Sequence, residues 1–113
     1  MRHYRLDDMT GGWFVGPFQP TVLDIPDTEV AVKSYSAGAR EPRHVHKIAT
    51  EITVVVSGTV NMVGRDWTAG DIIVLSPGES TDFHAITDAV NVVVKVPAVI
   101  GDKYLVADDE ALD

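Results

Sequence analysis

The sequence predicts an all-β protein. Its apolar runs are short, are rich in valine, isoleucine and threonine, and show almost no helical periodicity. Glycine, proline or aspartate interrupts them at intervals of about 8–12 residues, a spacing typical of β-sandwiches and barrels. Many short strands in a chain of 113 residues close most simply into such a structure, and jelly rolls are among the usual solutions.

The N-terminal half contains four strand candidates, each rich in aromatic or β-branched residues and each followed by turn chemistry. The turns are built on Gly-Pro, Pro-Asp and Ala-Gly pairs, which supply the backbone angles that strands cannot adopt. In chain order the predicted strands are Trp13–Phe18, Thr21–Asp24, Glu29–Ser36 and His44–Lys47.

The C-terminal half contains five more candidates. A single glycine separates the first two, which predicts a tight hairpin, and an Ala-Gly-Asp and a Pro-Gly turn bound the later ones. These strands are Glu51–Ser57, Thr59–Val63, Ile72–Leu75, Phe83–Thr87 and Val90–Val96.

Length and composition predict a single domain over residues 1–113, because 45% hydrophobic and 23% charged residues suit an ordinary globular core. The absence of cysteine excludes disulfides, thiolate metal sites and cysteine nucleophiles. The N-terminus lacks the apolar run of a signal peptide, and no stretch has the roughly 18 apolar residues of a membrane span. We therefore expect a cytoplasmic location and no membrane contact.

The charge balance disfavours polyanionic partners. Nine basic residues face 17 acidic ones, a formal net charge of −8, which argues against binding to nucleic acid or to anionic lipid. Several of the acids, from Asp102 onward, lie near the C-terminus, so we expect a solvated end with an acidic tail over residues 107–113.

Two strands suggest a partner subunit. The runs Glu51–Ser57 and Val90–Val96 are apolar on both faces over much of their length, which is typical of strands covered on both sides. The N-terminal strand, at about residues 11–18, carries Trp13, Phe14 and Phe18, which either cap the chain's own core or meet a second copy. We expect a homodimer.

The most informative constellation is His44, His46 and Glu51. On a strand, residues i and i+2 point to the same face about 6.6 Å apart, so both imidazoles can bind one metal. Glu51 opens the next predicted strand and can complete a three-ligand set. Two neutral imidazoles and a carboxylate leave open positions on a divalent cation, which suits non-haem iron(II) and also manganese, nickel or zinc.

This segment resembles the first conserved motif of the cupin superfamily. It runs from Gly38 through five residues to His44-x-His46, through four to Glu51, and through six to Gly58, so that every spacing of the motif is met. The resemblance implies a small cupin jelly-roll β-barrel, also called a double-stranded β-helix. It further implies that the two histidines and the glutamate bind a metal inside that barrel.

The second cupin motif is matched only in part. Gly70 and Gly78 stand in place, but the proline between them is displaced by one position to Pro77. Thr81 occupies the position of the expected histidine, and Ala85 that of the expected asparagine. The fourth metal ligand implied by the resemblance is therefore missing.

His84 lies three residues after that position. In a regular strand it shares a face with Asp82, opposite to the face of Thr81 and Phe83, so only a bulge would turn it into the barrel. We expect it to be a surface or interface histidine.

Alternation along the strands also suggests pocket residues. Threonine and phenylalanine side chains that share a strand face with the motif residues either line the opening of the barrel near the metal or pack in the core. Lys33 and Lys95 interrupt apolar strands, and each either faces solvent or enters the cavity to meet a carboxylate. The candidate pocket residues are Thr53, Thr81, Phe83 and Lys95.

The function expected from the site is small-molecule chemistry. The sequence has no phosphate-binding glycine loop and no Gly-x-Ser-x-Gly elbow. Cupins include dioxygenases, isomerases, epimerases and non-enzymatic binders, so the resemblance does not choose among them. A three-ligand site suits oxygen chemistry, so the leading hypothesis is a metal-dependent dioxygenase. The alternatives are a non-catalytic ligand-binding or regulatory cupin and a cupin isomerase or epimerase.

Overall fold

A computed structural model describes residues 1–107, which form two five-stranded antiparallel sheets. The first sheet has the order β1-β2-β9-β4-β7, and the second has the order β10-β3-β8-β5-β6. The strands are β1 Trp13–Val15, β2 Glu29–Tyr35, β3 Arg40–Val45, β4 Thr50–Ser57, β5 Thr59–Met62, β6 Arg65–Thr68, β7 Ile72–Leu75, β8 Ser80–Ala85, β9 Ala89–Val96 and β10 Tyr104–Leu105. Two short 3-10 helices, Leu6–Asp8 and Thr10–Gly12, precede β1.

The chain passes back and forth between the two sheets. From β2 onward, successive strands alternate between the first and the second sheet, apart from the β5–β6 hairpin within the second. This winding of strand pairs produces the double-stranded β-helix, so the predicted all-β jelly roll is confirmed.

The inward faces of the strands are apolar at one end of the barrel and polar at the other. Along β4 the inward residues run from Glu51 through Thr53 to the fully buried Val55. Along β8 they run from Thr81 to Ala85. Burial of each valine-sized side chain at the apolar end stabilises the fold by about 1.5–3 kcal/mol. Because the apolar end supplies this stability, the polar end can hold a functional site. The core consists of Val55, Val60, Met62, Ile73, Leu75, Phe83, Ala85 and Ala89.

The outer face of the first sheet is also apolar, as the sequence predicts for β4 and β9. Ile72, Val74 and Val56 are 63%, 54% and 51% exposed. Ten outward side chains on four adjacent strands make up this surface, which we call the aliphatic face: Val30, Val32, Ile52, Val54, Val56, Ile72, Val74, Val90, Val92 and Val94.

The connections on either side of β5 depend on two specific residues. Gly58 joins β4 to β5 with a φ of 82°, and a Cβ there would lie 2.1 Å from the Asp88 carbonyl oxygen, so only glycine fits. Trp67 on β6 donates its indole N–H to the Met62 carbonyl at 2.9 Å, which closes the β5–β6 hairpin.

Several predicted strands differ in their bounds. The predicted strand Thr21–Asp24 is wrong: Leu23 forms only an isolated bridge to Val15, and the Thr21 hydroxyl instead bonds to the carbonyls of Phe14 and Leu23. The first strand ends at Val15 because Gly16 follows with a φ of 150°.

The strand predicted at His44–Lys47 begins earlier, at Arg40, and ends at Val45, so His46 lies just beyond it. Likewise, β8 begins at Ser80 rather than at Phe83. The sequence patterns missed β6 and β10, because the first is short and polar and the second has only two residues.

The helices of the described region are too short and too polar to cross a membrane. The predicted cytoplasmic location stays a prediction. The acidic tail predicted over 107–113 lies outside the described residues from position 108 onward.

Candidate metal centre

His44, His46 and Glu51 converge at the polar end of the barrel. His44 lies on β3, His46 follows that strand by one residue, and Glu51 lies on β4 of the facing sheet. One ligand atom from each lies within 4.8 Å of the others. The three residues are only 7%, 5% and 9% exposed, so the site is nearly closed to solvent.

Main-chain carbonyls orient both imidazoles. Nδ1 of His44 donates to the Pro42 carbonyl at 3.1 Å, and Nδ1 of His46 donates to the Asp102 carbonyl. This arrangement puts the proton on Nδ1 and leaves the Nε2 lone pair of each ring available to a metal. The ring planes are 77° apart, so the two rings approach the site from different directions.

Nε2 of His46 shows that the site fits a metal. This atom is buried and has no hydrogen-bond partner among the described residues, and it lies 3.9 Å from Oε1 of Glu51. A buried polar atom without a partner is unfavourable, and a cation between the imidazole and the carboxylate would satisfy it.

Burial keeps His44 in the form that binds metal. Desolvation of its imidazole lowers the pKa of His44, although the Pro42 carbonyl acts in the opposite direction. The neutral ring is the form that binds a cation, so a site formed this way need not release a proton from His44 when it takes up a metal.

Asp102 secures the turn that leads from His46 to Glu51. Its buried carboxylate accepts backbone N–H bonds from Lys47 and Ala49, each at 2.9 Å, and from Ile48 at 3.1 Å. Burial opposes ionisation of this carboxyl, but the three amides outweigh that effect and hold the pKa of Asp102 below its ordinary value.

The expectation that Asp102 belongs to a solvated end is therefore wrong, since the residue is only 4% exposed. Its partners lie 53 to 55 residues earlier in the chain, so no local pattern could reveal the contact.

A cavity of about 430 Å³ adjoins the three residues. His44 and Glu51 form part of its wall, whereas His46 faces a smaller neighbouring cavity of about 270 Å³. The four pocket candidates from the sequence, Thr53, Thr81, Phe83 and Lys95, all line the larger cavity.

Thr81 stands directly opposite His44 in the β3–β8 ladder, at the position of the missing fourth ligand. Its hydroxyl accepts the Val63 N–H at 2.8 Å and donates to the Asp82 carbonyl at 2.7 Å, so it is engaged with the backbone. His84 lies between the inward-facing Phe83 and Ala85 and is half-buried on the other side of the strand.

The two lysines that interrupt apolar strands both enter the cavity. Lys33 on β2 and Lys95 on β9 share the indole ring of Trp13, with Nζ 5.6 Å and 4.9 Å from its centroid. Of the alternatives that the sequence left open, the inward orientation is the one observed. Trp13 and Phe18 also line the cavity, so they cover the interior of their own chain.

Sequence patterns did not identify Tyr35 and Glu41 as cavity residues. The Tyr35 hydroxyl donates to Oε1 of Glu41 at 3.0 Å, and its ring packs on Phe83 with centroids 4.3 Å apart. Burial, reinforced by the negative charge of Glu41, raises the pKa of Tyr35 strongly, so the phenol stays protonated. Strand alternation would place Tyr35 with Lys33 on one face, but it does not indicate which face is inner.

Solved structures similar to this chain share its architecture. A protein with a double-stranded beta-helix domain from Klebsiella pneumoniae subsp. pneumoniae MGH 78578 aligns with a TM-score of 0.68 and 24% identity, over 92% of this chain and 90% of the other. An RmlC-like cupin from Shewanella frigidimarina NCIMB 400 aligns with a TM-score of 0.60 and 23% identity, over 66% and 70%. The chain has the cupin fold. An oxalate oxidase aligns with this chain at a TM-score of 0.59 and 26% identity, over 71% of this chain and 46% of the other.

No protein-family model matches this chain, and no curated protein matches it in sequence. Its fold is therefore known from structural likeness, whereas its chemistry has to be argued from the cavity itself.

Proposed function

We propose that this cupin is a metal-dependent enzyme that acts on a small molecule. One divalent ion, of iron, manganese, nickel or zinc, is bound by Nε2 of His44, Nε2 of His46 and the carboxylate of Glu51. The observation that carries the proposal is the buried, unpartnered Nε2 of His46 inside a cluster whose ligand atoms lie within 4.8 Å. When bound, the ion polarises an oxygen group of the substrate or activates dioxygen.

Oxygen-dependent cleavage is the reaction that the ligand set supports best. Two histidines and one carboxylate on one side of a cation are typical of non-haem iron(II) oxygenases, which need free positions for oxygen and substrate. Thr81 leaves one of those positions open, because its hydroxyl is hydrogen-bonded to the backbone and does not act as a fourth ligand.

Isomerase or epimerase chemistry is the second candidate, and the Tyr35–Glu41 pair favours it. Such reactions move a proton at a carbon, and they need an acid or base beside the polarising metal. Glu41 lines the same cavity as Glu51 and already accepts the Tyr35 hydroxyl. In this reaction Glu41 takes the proton from one carbon of the substrate and returns it to the neighbouring carbon, and Tyr35 stabilises the Glu41 carboxylate before the transfer.

A non-catalytic ligand-binding or regulatory role is the remaining alternative, and metal analysis separates it from an enzyme. We expect the protein, purified without chelator, to hold about one divalent ion per chain, and His46→Gln and Glu51→Gln to lose it. Leu105→Gln, a substitution of an exposed residue, serves as the control. A protein that holds no metal, and whose melting temperature rises with none of the four metals, would refute the metal site.

Reaction class is then tested with the iron(II) form, loaded without air. Oxygen uptake on addition of small organic acids supports the oxygenase. Proton exchange or isomer formation in the absence of oxygen, followed by NMR and lost in Glu41→Gln, supports the isomerase. Binding of such acids with neither activity supports the regulatory role.

We further propose that the aliphatic face forms a homodimer. Its ten side chains each cover about 33 Å² of the sheet, on the order of 300 Å² in projection, which is the size of the largest apolar patch on a typical monomer, a patch that is often functional. A flat face without charged groups is complementary to itself, so a second copy related by a two-fold axis fits it. With a polar rim, the contact reaches a standard interface of about 800 Å² per partner.

A further inference from the structure

We infer that the cavity binds a small dicarboxylate, with one carboxylate at the metal and the other between Lys33 and Lys95. The inference rests on the proposed metal site for one end of the ligand and on residues outside that site for the other.

Lys33 and Lys95 both contact the Trp13 ring and have no acidic partner among residues 1–107. Both lie within 6 Å of the Trp13 ring centroid, at 5.6 Å and 4.9 Å. No acid within residues 1–107 forms an ion pair with either lysine. Both lysines line the cavity, so an anion bound there is attracted by two positive charges.

Asn91 supplies a polar group between the lysines and the core. It stands opposite Lys33 in the β2–β9 ladder and points into the cavity. The residue is only 1% exposed, yet its Oδ1 has no hydrogen-bond partner in the described part of the chain. This oxygen needs a donor, which a dicarboxylate dianion does not carry, so it is the side-chain N–H of Asn91 that can donate to a ligand carboxylate in the cavity.

The charges of the cavity wall favour a dianion. Three lysines and three glutamates line it, and their charges cancel, while a histidine that binds a metal does so as the neutral ring. A divalent ion at the proposed site then leaves a net charge of +2, which a dicarboxylate neutralises and a monocarboxylate does not. The charged residues are Lys33, Lys95, Lys103, Glu29, Glu41 and Glu51.

The positions of Lys95 and Glu51 limit the ligand to a short chain. The two residues are directly opposite in the β4–β9 ladder, and both face inward. Side chains so placed have Cβ atoms about 5 Å apart. No ion pair joins the Lys95 ammonium to the Glu51 carboxylate, both of which the structure describes, so the two charged ends lie more than 4.0 Å apart. A ligand of three to five carbons, with carboxyl carbons roughly 2.5–5 Å apart, suits a short separation of this kind.

The experiment compares acids that differ by one charge. Malonate, succinate and glutarate are titrated into the zinc-loaded protein by calorimetry, beside propionate, butyrate and pentanoate of the same carbon counts. We expect one dicarboxylate to bind at least about tenfold more tightly than its monocarboxylate. Lys33→Met and Lys95→Met should each remove that difference.

Arg65→Met is the matched control, because Arg65 also stacks on an indole ring, 4.6 Å from the centroid of Trp67, but lies outside the cavity. It should leave the preference unchanged. Circular dichroism and zinc titration confirm that each variant folds and binds metal.

Equal binding of mono- and dicarboxylates by the zinc-loaded protein, or a preference that survives Lys95→Met, would overturn the dicarboxylate site while leaving the metal proposal intact. If the preference for the dicarboxylate is the same with and without zinc, the proposed contact between one carboxylate and the metal is wrong. Failure to bind zinc, measured separately, would count against the proposed function itself.

Discussion

The main-chain carbonyl of Asp102 accepts the Nδ1 proton of His46, while its carboxylate accepts the amides of residues 47 to 49. One buried residue therefore fixes both the ring of a candidate ligand and the turn that carries the chain on to Glu51. Groups that orient a metal ligand from behind typically change metal affinity by about 10–100-fold when they are removed.

Asp102→Asn should weaken metal binding by about tenfold or more and lower stability by roughly 1.5–3 kcal/mol, the usual worth of hydrogen bonds to a charged group. The asparagine side chain has only one acceptor oxygen, and its NH₂ group would face a backbone N–H, so the three hydrogen bonds could not all form. Competition with a zinc-binding dye and urea unfolding measure the two effects. Asp71→Asn, which alters a different turn, is the control; an equal loss in both variants would argue against a special role for Asp102.

The contribution of Asp102 should also depend on pH. Its pKa in the folded protein is lower than the ordinary value of 3.8, so the unfolded chain takes up the proton first. The stabilisation is therefore fully present above 3.8 and is lost as the pH falls through the folded pKa. Urea unfolding of the metal-free proteins should show a constant difference in the free energy of unfolding between wild type and Asp102→Asn near neutral pH. That difference should decrease below pH 3.8. A difference that increases there would contradict the lowered pKa of Asp102.

Thr81→His should strengthen metal binding by about tenfold or more, because position 81 faces His44 across the β3–β8 ladder. The same change removes the acceptor of the Val63 N–H, so stability should fall by about 1–3 kcal/mol. Thr81→Val separates the effects: it should lower stability without raising affinity. Dye competition and thermal unfolding report each quantity, and unchanged affinity in Thr81→His would place the ring outside the site.

Tyr35 should remain un-ionised as long as the protein is folded. Burial and the neighbouring Glu41 raise its pKa, so its phenolate absorbance should appear only with alkaline unfolding. The difference in absorbance at 295 nm between wild type and Tyr35→Phe isolates this residue, and circular dichroism follows unfolding in parallel. A phenolate signal before the loss of structure would show that the Tyr35–Glu41 contact opens in solution.

Val54→Lys should convert the proposed dimer into a monomer, since Val54 lies between Val92 and Ile72 within the aliphatic face and the substitution buries a charge there. Sedimentation velocity gives the oligomeric state directly. Leu6→Lys, at an exposed position on the N-terminal 3-10 helix, should leave the dimer intact. A monomeric wild-type protein at tens of micromolar would refute this use of the face.

Local patterns predicted most of the barrel. The spacing of β-branched runs predicted strands at β2, β4, β7 and β9, because alternation and turn chemistry are short-range signals. The spacing from His44 to Glu51 predicted a constellation that the structure brings together. What the sequence could not show depends on distant contacts.

Asp102 is the clearest case, since the charge pattern favoured a solvated residue and the fold buries it. Lys33 and Lys95 are a second, because alternation shows that a residue changes face but not which face is inner. The sequence did not identify Tyr35 and Asn91 as cavity residues for the same reason, because only the pairing of β2 with β9 shows which residues they face.

The hydroxyl of Thr81 carries a consequence for how this barrel can change. Val63, whose amide it accepts, has a φ of 53°, an unfavourable conformation for a β-branched residue. Histidine at position 81 would leave that strained turn without its anchor, so the gain in metal affinity expected from a fourth ligand comes together with a loss of stability. A relaxing change at the strained position, such as Val63→Gly, should reduce that loss, because glycine adopts a positive φ readily.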